Sequence, residues 1–446
     1  MFILVALLLL IDYTADKEKF LFAYRFNIGS LPINILDVLI ALACVIGLFR
    51  ISRRDYPGEK LNAGFKWAVG LLSAALLTGS VGGMVHHTDL REVADMTRNV
   101  GTLAACIYIG YFSISTLQQA RWAGYLLVIS SVCSAVFVLL FMRETAETLK
   151  STAANINELR SVDRGGDAGV AAAAFLAFSA AAGLRFFPRI IGIGLFALCA
   201  VGMFAMPHRS AWIIAVIALL FATLFLAKAR FGRRLAVTVG LMLLTAVVLA
   251  VGLTVYANLT GRNIQEYFGV RLRSMLPGVE ERKDNKPWET RLPGLTRELE
   301  IWTGNPLTGG GFGIQLATEK QSTGINGTGY RHNVWTAALA EGGLPLFLGY
   351  FITCWVCVSL GNKLVRLRMD QATVMVGAFA AIHGFVSIIY AGMTMTFNQQ
   401  RPAIGLGLVC GLLLRTWDMQ SAVVRSYEGY TDAEDGAMIL PEVRYA

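Results

Sequence analysis

Residues 372–393 read ATVMVGAFAAIHGFVSIIYAGM, an apolar run without one Asp, Glu, Lys or Arg. Runs of this kind recur along the whole chain, and each is near the ~20 residues a helix needs to cross a bilayer. Only helices and closed barrels span membranes, because every backbone polar group must be satisfied inside the segment. Barrel strands alternate apolar and polar residues and give no such runs. The chain is therefore expected to be an all-α integral membrane protein. Only 15% of its 446 residues are charged, where a soluble chain carries about 25%.

The runs predict about 12 transmembrane helices, over residues 1–11, 32–49, 64–83, 100–117, 122–142, 168–185, 188–206, 209–227, 234–257, 334–360, 372–393 and 399–415. Basic residues fall in alternate connections: Arg50, Arg53, Arg54, Lys60 and Lys66, then Arg121, then Arg185 and Arg189, then Lys228, Arg230, Arg233 and Arg234, then Lys363, Arg366 and Arg368. Only Asp55, Glu59 and Asp370 accompany them. The positive-inside rule places these connections, and hence both termini, in the cytoplasm. The expected organisation is helices one to nine in 1–258, a large outer loop in 259–331, helices ten to twelve in 332–415 and a mobile cytoplasmic tail in 416–446.

The outer loop contains two amphipathic stretches, NIQEYFGVRLRSML and WETRLPGLTRELEIW. In the second, Leu292, Leu295, Leu299 and Trp302 follow helical spacing. A helical subdomain leaning on the membrane helices is expected. PLTGGGFG at 306–313 is not a phosphate-binding Walker loop, since no Gly-Lys-Ser/Thr follows, and reads as a tight turn.

Seven cysteines all lie inside apolar runs, which argues against a disulfide scaffold. Cys354 and Cys357 read as packing residues in mid-span. His86 and His87 lack companion ligands, so no metal site is expected. Neither a cofactor nor nucleic acid is expected as a partner.

His332 stands at the outer start of the tenth span. A helix start carries free N–H groups and the positive end of the dipole, which keeps a histidine neutral and able to accept a proton. A boundary histidine bonded to the helix end is the plainer reading. Arg209, with His208 beside it, lies in a short outer turn and is either a snorkelling surface charge or a fixed cation for phosphate. Arg271, Arg291, Arg297 and Arg331 add positive charge from the loop, where any one of them alone reads as a surface group. Glu341 lies within the tenth span, where an ionisable group is a site candidate or a partner for a neighbouring helix. It is nine residues beyond His332 and so nearly on the opposite face.

Three stretches together resemble the O-antigen ligase superfamily, which includes lipopolysaccharide O-antigen ligases and polysaccharide polymerases. They are HRSAW at 208–212, ETRLPGLTRELEIWTGNPLTGGGFG at 289–313 and RHNVWTAALAEGGLPLF at 331–347. The resemblance implies a GT-C-like fold with a periplasmic loop subdomain, in the bacterial inner membrane with its active site facing the periplasm. It implies a metal-independent inverting glycosyltransferase. The donor is a glycan on undecaprenyl diphosphate and the acceptor is lipid A–core or another glycan. His332 matches the family's essential histidine, the general base. Arg209 matches the arginine of the short outer turn that holds the diphosphate. Arg291 and Arg271 are both open as the second arginine, with Arg331 and His208 as further donor contacts and Asn333 and Glu341 as supporting residues. Ligation is the first expectation and polymerisation of glycan repeats the second. A lipid-linked sugar transporter ranks below both, because midplane charges are few and no inverted repeat is visible.

Overall fold

The computed structural model describes residues 25–28, 31–52, 61–86, 90–151, 167–181, 188–205, 217, 247, 254, 258, 287–314, 333–367, 371–393 and 400–431. The described residues form ten helices and one β-hairpin. The helices are α1 (Ile35–Ser52), α2 (Ala63–Val85), α3 (Leu90–Ser113), α4 (Leu117–Ser151), α5 (Asp167–Ala181), α6 (Arg189–Ala205), α7 (Pro287–Gly304), α8 (Val334–Leu367), α9 (Gln371–Ala391) and α10 (Gln400–Thr431). Among them α2, α8 and α9 are long and apolar enough to cross a membrane, and shorter apolar helices cover Ile35–Phe49, Gly169–Ala180 and Arg189–Met203. The protein is thus built as a helical membrane protein. The spans expected at 1–11, 209–227 and 234–257 lie outside the described residues, apart from isolated helical positions.

Three departures from the expected spans have physical causes. Residues 31–34 are not the start of a helix: β1 (Arg25–Ile28) and β2 (Leu31–Asn34) pair antiparallel, with Ile28 opposite Leu31. Alternating Phe26, Ile28, Leu31 and Ile33 around Gly29-Ser30 suit such a hairpin. Helix α3 starts ten residues before the expected 100. Its polar first part, with Arg91, Glu92, Asp95 and Arg98, lowers the hydropathy, yet Val93, Met96, Val100 and Leu103 keep a buried stripe at helical spacing. Helix α10 runs to Thr431, so the first part of the expected tail is helix.

The bundle closes through small residues. Gly110 on α3 and Gly407 and Gly411 on α10 let the two backbones touch, for a Cβ at Gly407 would meet the Leu103 carbonyl oxygen at 2.8 Å. A Cβ at Gly377 of α9 would likewise meet the Gly361 carbonyl oxygen of α8 at 2.9 Å. Helix α2 packs between α3 and α8, and α9 joins α8 to α5.

One end of this bundle is tied by polar side chains. Asn62 Oδ1 caps α2 by accepting from the Gly64 amide at 2.8 Å, while its Nδ2 donates to Asp418 at 2.7 Å. Tyr111 donates to the other Asp418 oxygen at 2.5 Å. Arg415 lies over the Tyr111 ring and donates to the Ile114 carbonyl at 3.2 Å. At the opposite end α2 finishes, α3 and α8 begin, and the glycine-rich turn is inserted.

Candidate active site

Helix α8 is broken, and its sequence dictates where. Pro345 has no N–H and cannot bond the carbonyl one turn back, that of Glu341. Gly343 takes φ 63° and ψ −158°, a left-handed conformation that side chains rarely adopt. The break turns residues 334–342 relative to the rest of the helix. Trp335 consequently meets Phe347 at 5.7 Å and Phe351 at 6.1 Å between ring centroids. In a straight helix Trp335 and Phe347 would be about 18 Å apart along the axis. The Trp335 indole also donates to the Ile388 carbonyl at 3.1 Å, which fixes the start of α8 to the end of α9.

Three backbone groups at the break are taken by the turn at 305–314. Gly310 and Gly311 amides donate to the carbonyls of Ala340 and Glu341 at 2.7 and 3.1 Å. The Leu344 amide donates to the Pro306 carbonyl at 3.1 Å. On the other side the Phe312 amide donates to the Gly79 carbonyl of α2 at 2.8 Å. Phe312 is fully buried, its ring against Gly79 and its backbone against Gly83. Gly311 has φ 94°, and a Cβ there would run into Gly82 and Gly83. PLTGGGFG is therefore a tight turn, as its composition indicates, and also the piece that joins α7 to α2 and α8.

Helix α7 leads into this turn and lies on the start of α8. It covers the amphipathic stretch expected to be helical. Its buried face differs from the expected one: Leu299 is exposed, and the most buried residue described on it is Glu298, at 3%. The carboxylate of Glu298 accepts a hydrogen bond from the Thr336 hydroxyl in the first turn of α8. Glu300, two residues on, is exposed and pairs with Arg297 at 3.4 Å. At the start of α8 the Asn333 side chain accepts from the Trp335 amide at 2.9 Å, an N-cap bond. On sequence alone this helix start is simply a positive end. In the fold a buried carboxylate lies beside it and offsets that character.

Of the residues singled out in the sequence, Asn333 caps α8, and Glu341 is fully buried just before the break. Arg291 belongs to the first half of α7, seven residues before Glu298. Arg297 is exposed in its pair with Glu300. His208, Arg209, Arg271, Arg331 and His332 lie outside the described residues. Thr336 and Phe312 were not singled out by sequence reasoning, which named Glu298 only together with Glu300, as acidic residues whose assistance to His332 it left open. Glu298 had a usable signal, a carboxylate at helical spacing between Leu295 and Trp302 on an otherwise apolar stripe.

Residues 194–351 match a family model described as O-antigen ligase. The match begins within α6, ends within α8, and spans all the residues from His208 to Glu341 discussed above. No curated protein matches the chain.

Proposed function

We propose that this chain, whose residues 194–351 carry the O-antigen ligase domain and so make it a member of that superfamily, is a membrane glycosyltransferase that moves a glycan from undecaprenyl diphosphate to an acceptor hydroxyl on the periplasmic side. Ligation of O-antigen to lipid A–core is the specific reaction. The observation that carries the reading is this match, together with the candidate residues it encloses. The joined unit of α7, turn and α8 supports it by fixing the described start of α8, which follows His332 in the sequence.

In the proposed reaction His332 takes the proton of the acceptor hydroxyl. The oxygen attacks the anomeric carbon, the bond from that carbon to the phosphate oxygen breaks, and the diphosphate leaves with the electron pair, so the configuration inverts. Arg209 and a loop arginine, Arg291 or Arg271, hold the diphosphate and stabilise the charge that develops on it. Arg331 and His208 contribute to that binding, and Asn333 and Glu341 support the base from α8. The carrier diphosphate is itself the leaving group, so neither cofactor nor metal is needed.

The setting is the bacterial inner membrane, crossed about 12 times in a GT-C-like arrangement with both termini in the cytoplasm. Segments 1–258 and 332–415 supply the membrane helices, 259–331 the periplasmic subdomain and 416–446 the cytoplasmic end.

The test is transfer by purified protein in detergent, with lipid A–core and a second lipid-linked repeat offered as acceptors and EDTA present. Wild type is expected to glycosylate lipid A–core, and His332→Ala and Arg209→Ala to lose this by at least about a hundredfold. Growth of the lipid-linked glycan alone would make the protein a polymerase. Full activity in His332→Ala would remove the assigned base.

A further inference from the structure

We infer that Glu298 is a positioning residue for the transfer reaction, acting through Thr336 on the start of α8; this rests on the glycosyltransferase reading above. Two acidic residues of α7 are close in sequence, and the fold separates them. Glu300 is exposed and engaged with Arg297 on its own helix. Glu298 is buried and reaches across to a different element.

Burying a carboxylate is unfavourable unless it gains charge-assisted hydrogen bonds or a favourable field. The first turn of α8 provides both, through the Thr336 hydroxyl and the positive end of the helix. The contact joins two segments with separate functional assignments. Thr336 follows His332 by four residues in the sequence and Asn333, the N-cap of α8, by three. Glu298 follows Arg291 by two helical turns on α7.

Backbone bonds that tie α7 to the bundle lie beyond its C-terminal end, in the turn at 305–314. They hold the break at Gly343, seven residues further along α8 than Thr336. The Glu298–Thr336 bond is a polar side-chain contact between α7 and the first turn of α8, beside the apolar packing of Ile301 on Ala337 and Ala340. It is the polar bond that fixes α7 to the described first turn of α8. Glu298 itself does not exchange protons with substrate in this role.

The experiment measures transfer kinetics of the full-length protein for Glu298→Ala, Glu298→Gln, Thr336→Val, Thr336→Ser and the Glu298→Ala/Thr336→Val double variant. Misplacement of a catalytic group by about 1 Å costs on the order of a hundredfold. Glu298→Ala and Thr336→Val are expected to lower kcat between about tenfold and a hundredfold, with donor KM changed by less than about twofold. Thr336→Ser, which keeps the hydroxyl, should restore most of the rate. The double variant should be no slower than Glu298→Ala, because both changes remove one contact.

Amide exchange of the peptide covering 333–340 should quicken in Glu298→Gln, a variant that keeps the side-chain volume, while peptides of α9 stay unchanged. Equal rates for Thr336→Val and wild type would overturn the inference. So would a rise in donor KM at constant kcat, which would make Glu298 a substrate contact. If neither Ala nor Val variant folds, unchanged exchange in Glu298→Gln would overturn it. Wild type that transfers no glycan would defeat the underlying reading as well, and that result is separable from an active wild type with indifferent variants.

Discussion

The carbonyl of Glu341 accepts a hydrogen bond from the amide of Gly311 at 3.1 Å, in place of the helical bond that Pro345 cannot supply. A missing donor within α8 is thereby met by a residue of the glycine-rich turn, 30 positions earlier in the chain. The bond makes the break in α8 and the docking of the loop a single event. In an apolar setting both groups would otherwise be left unsatisfied at a cost of several kcal/mol.

Restoring the donor should weaken that junction. In Pro345→Ala the residue-345 amide competes with Gly311 for the Glu341 carbonyl. Amide exchange in a peptide covering 306–314 is expected to quicken, while exchange in α3 and α10 stays as in wild type.

Gly343→Ala should be more damaging than most substitutions by alanine in a helix. The backbone stands at φ 63°, and the added Cβ would be driven against the Leu307 carbonyl. Strain and overlap together should cost at least about 2 kcal/mol, read as a lower Tm in detergent.

Phe312 anchors the turn in α2, fully buried on a floor formed by Gly79 and Gly83. Phe312→Ala leaves a cavity there and is expected to destabilise the protein by about 3–5 kcal/mol. Gly79→Val, which fills the same space from the other side, should give a comparable loss of Tm.

The polar tie at the far end of the bundle offers a control. Asp418→Ala leaves Asn62 and Tyr111 without their shared acceptor and should cost about 1–3 kcal/mol of stability. Folded Asp418→Ala protein should transfer glycan with wild-type kcat, since this cluster lies at the end of the bundle opposite the start of α8. A loss of kcat in the folded variant would show that the two ends are coupled.

The sequence by itself determined the class of fold, because a bilayer leaves a chain with apolar runs of this length no alternative to helices. It also marked the loop helix through the spacing of Leu295 and Trp302, and the turn through its run of glycines, for these are local properties. It placed the start of this span at 334 but read 334–360 as one unbroken helix, and the fault at Gly343 and Pro345 emerged only in the structure, although proline acts within a turn. The polar start of α3 and the continuation of α10 past residue 415 were hidden, because hydropathy records composition and not the stripe that is buried. Only the tertiary structure decided which of Glu298 and Glu300 is buried, that Thr336 is its partner, and that Gly310 and Gly311 complete the broken helix. Each of these depends on a contact between segments far apart in the chain, and a hydrogen bond between such segments leaves no periodicity in either one.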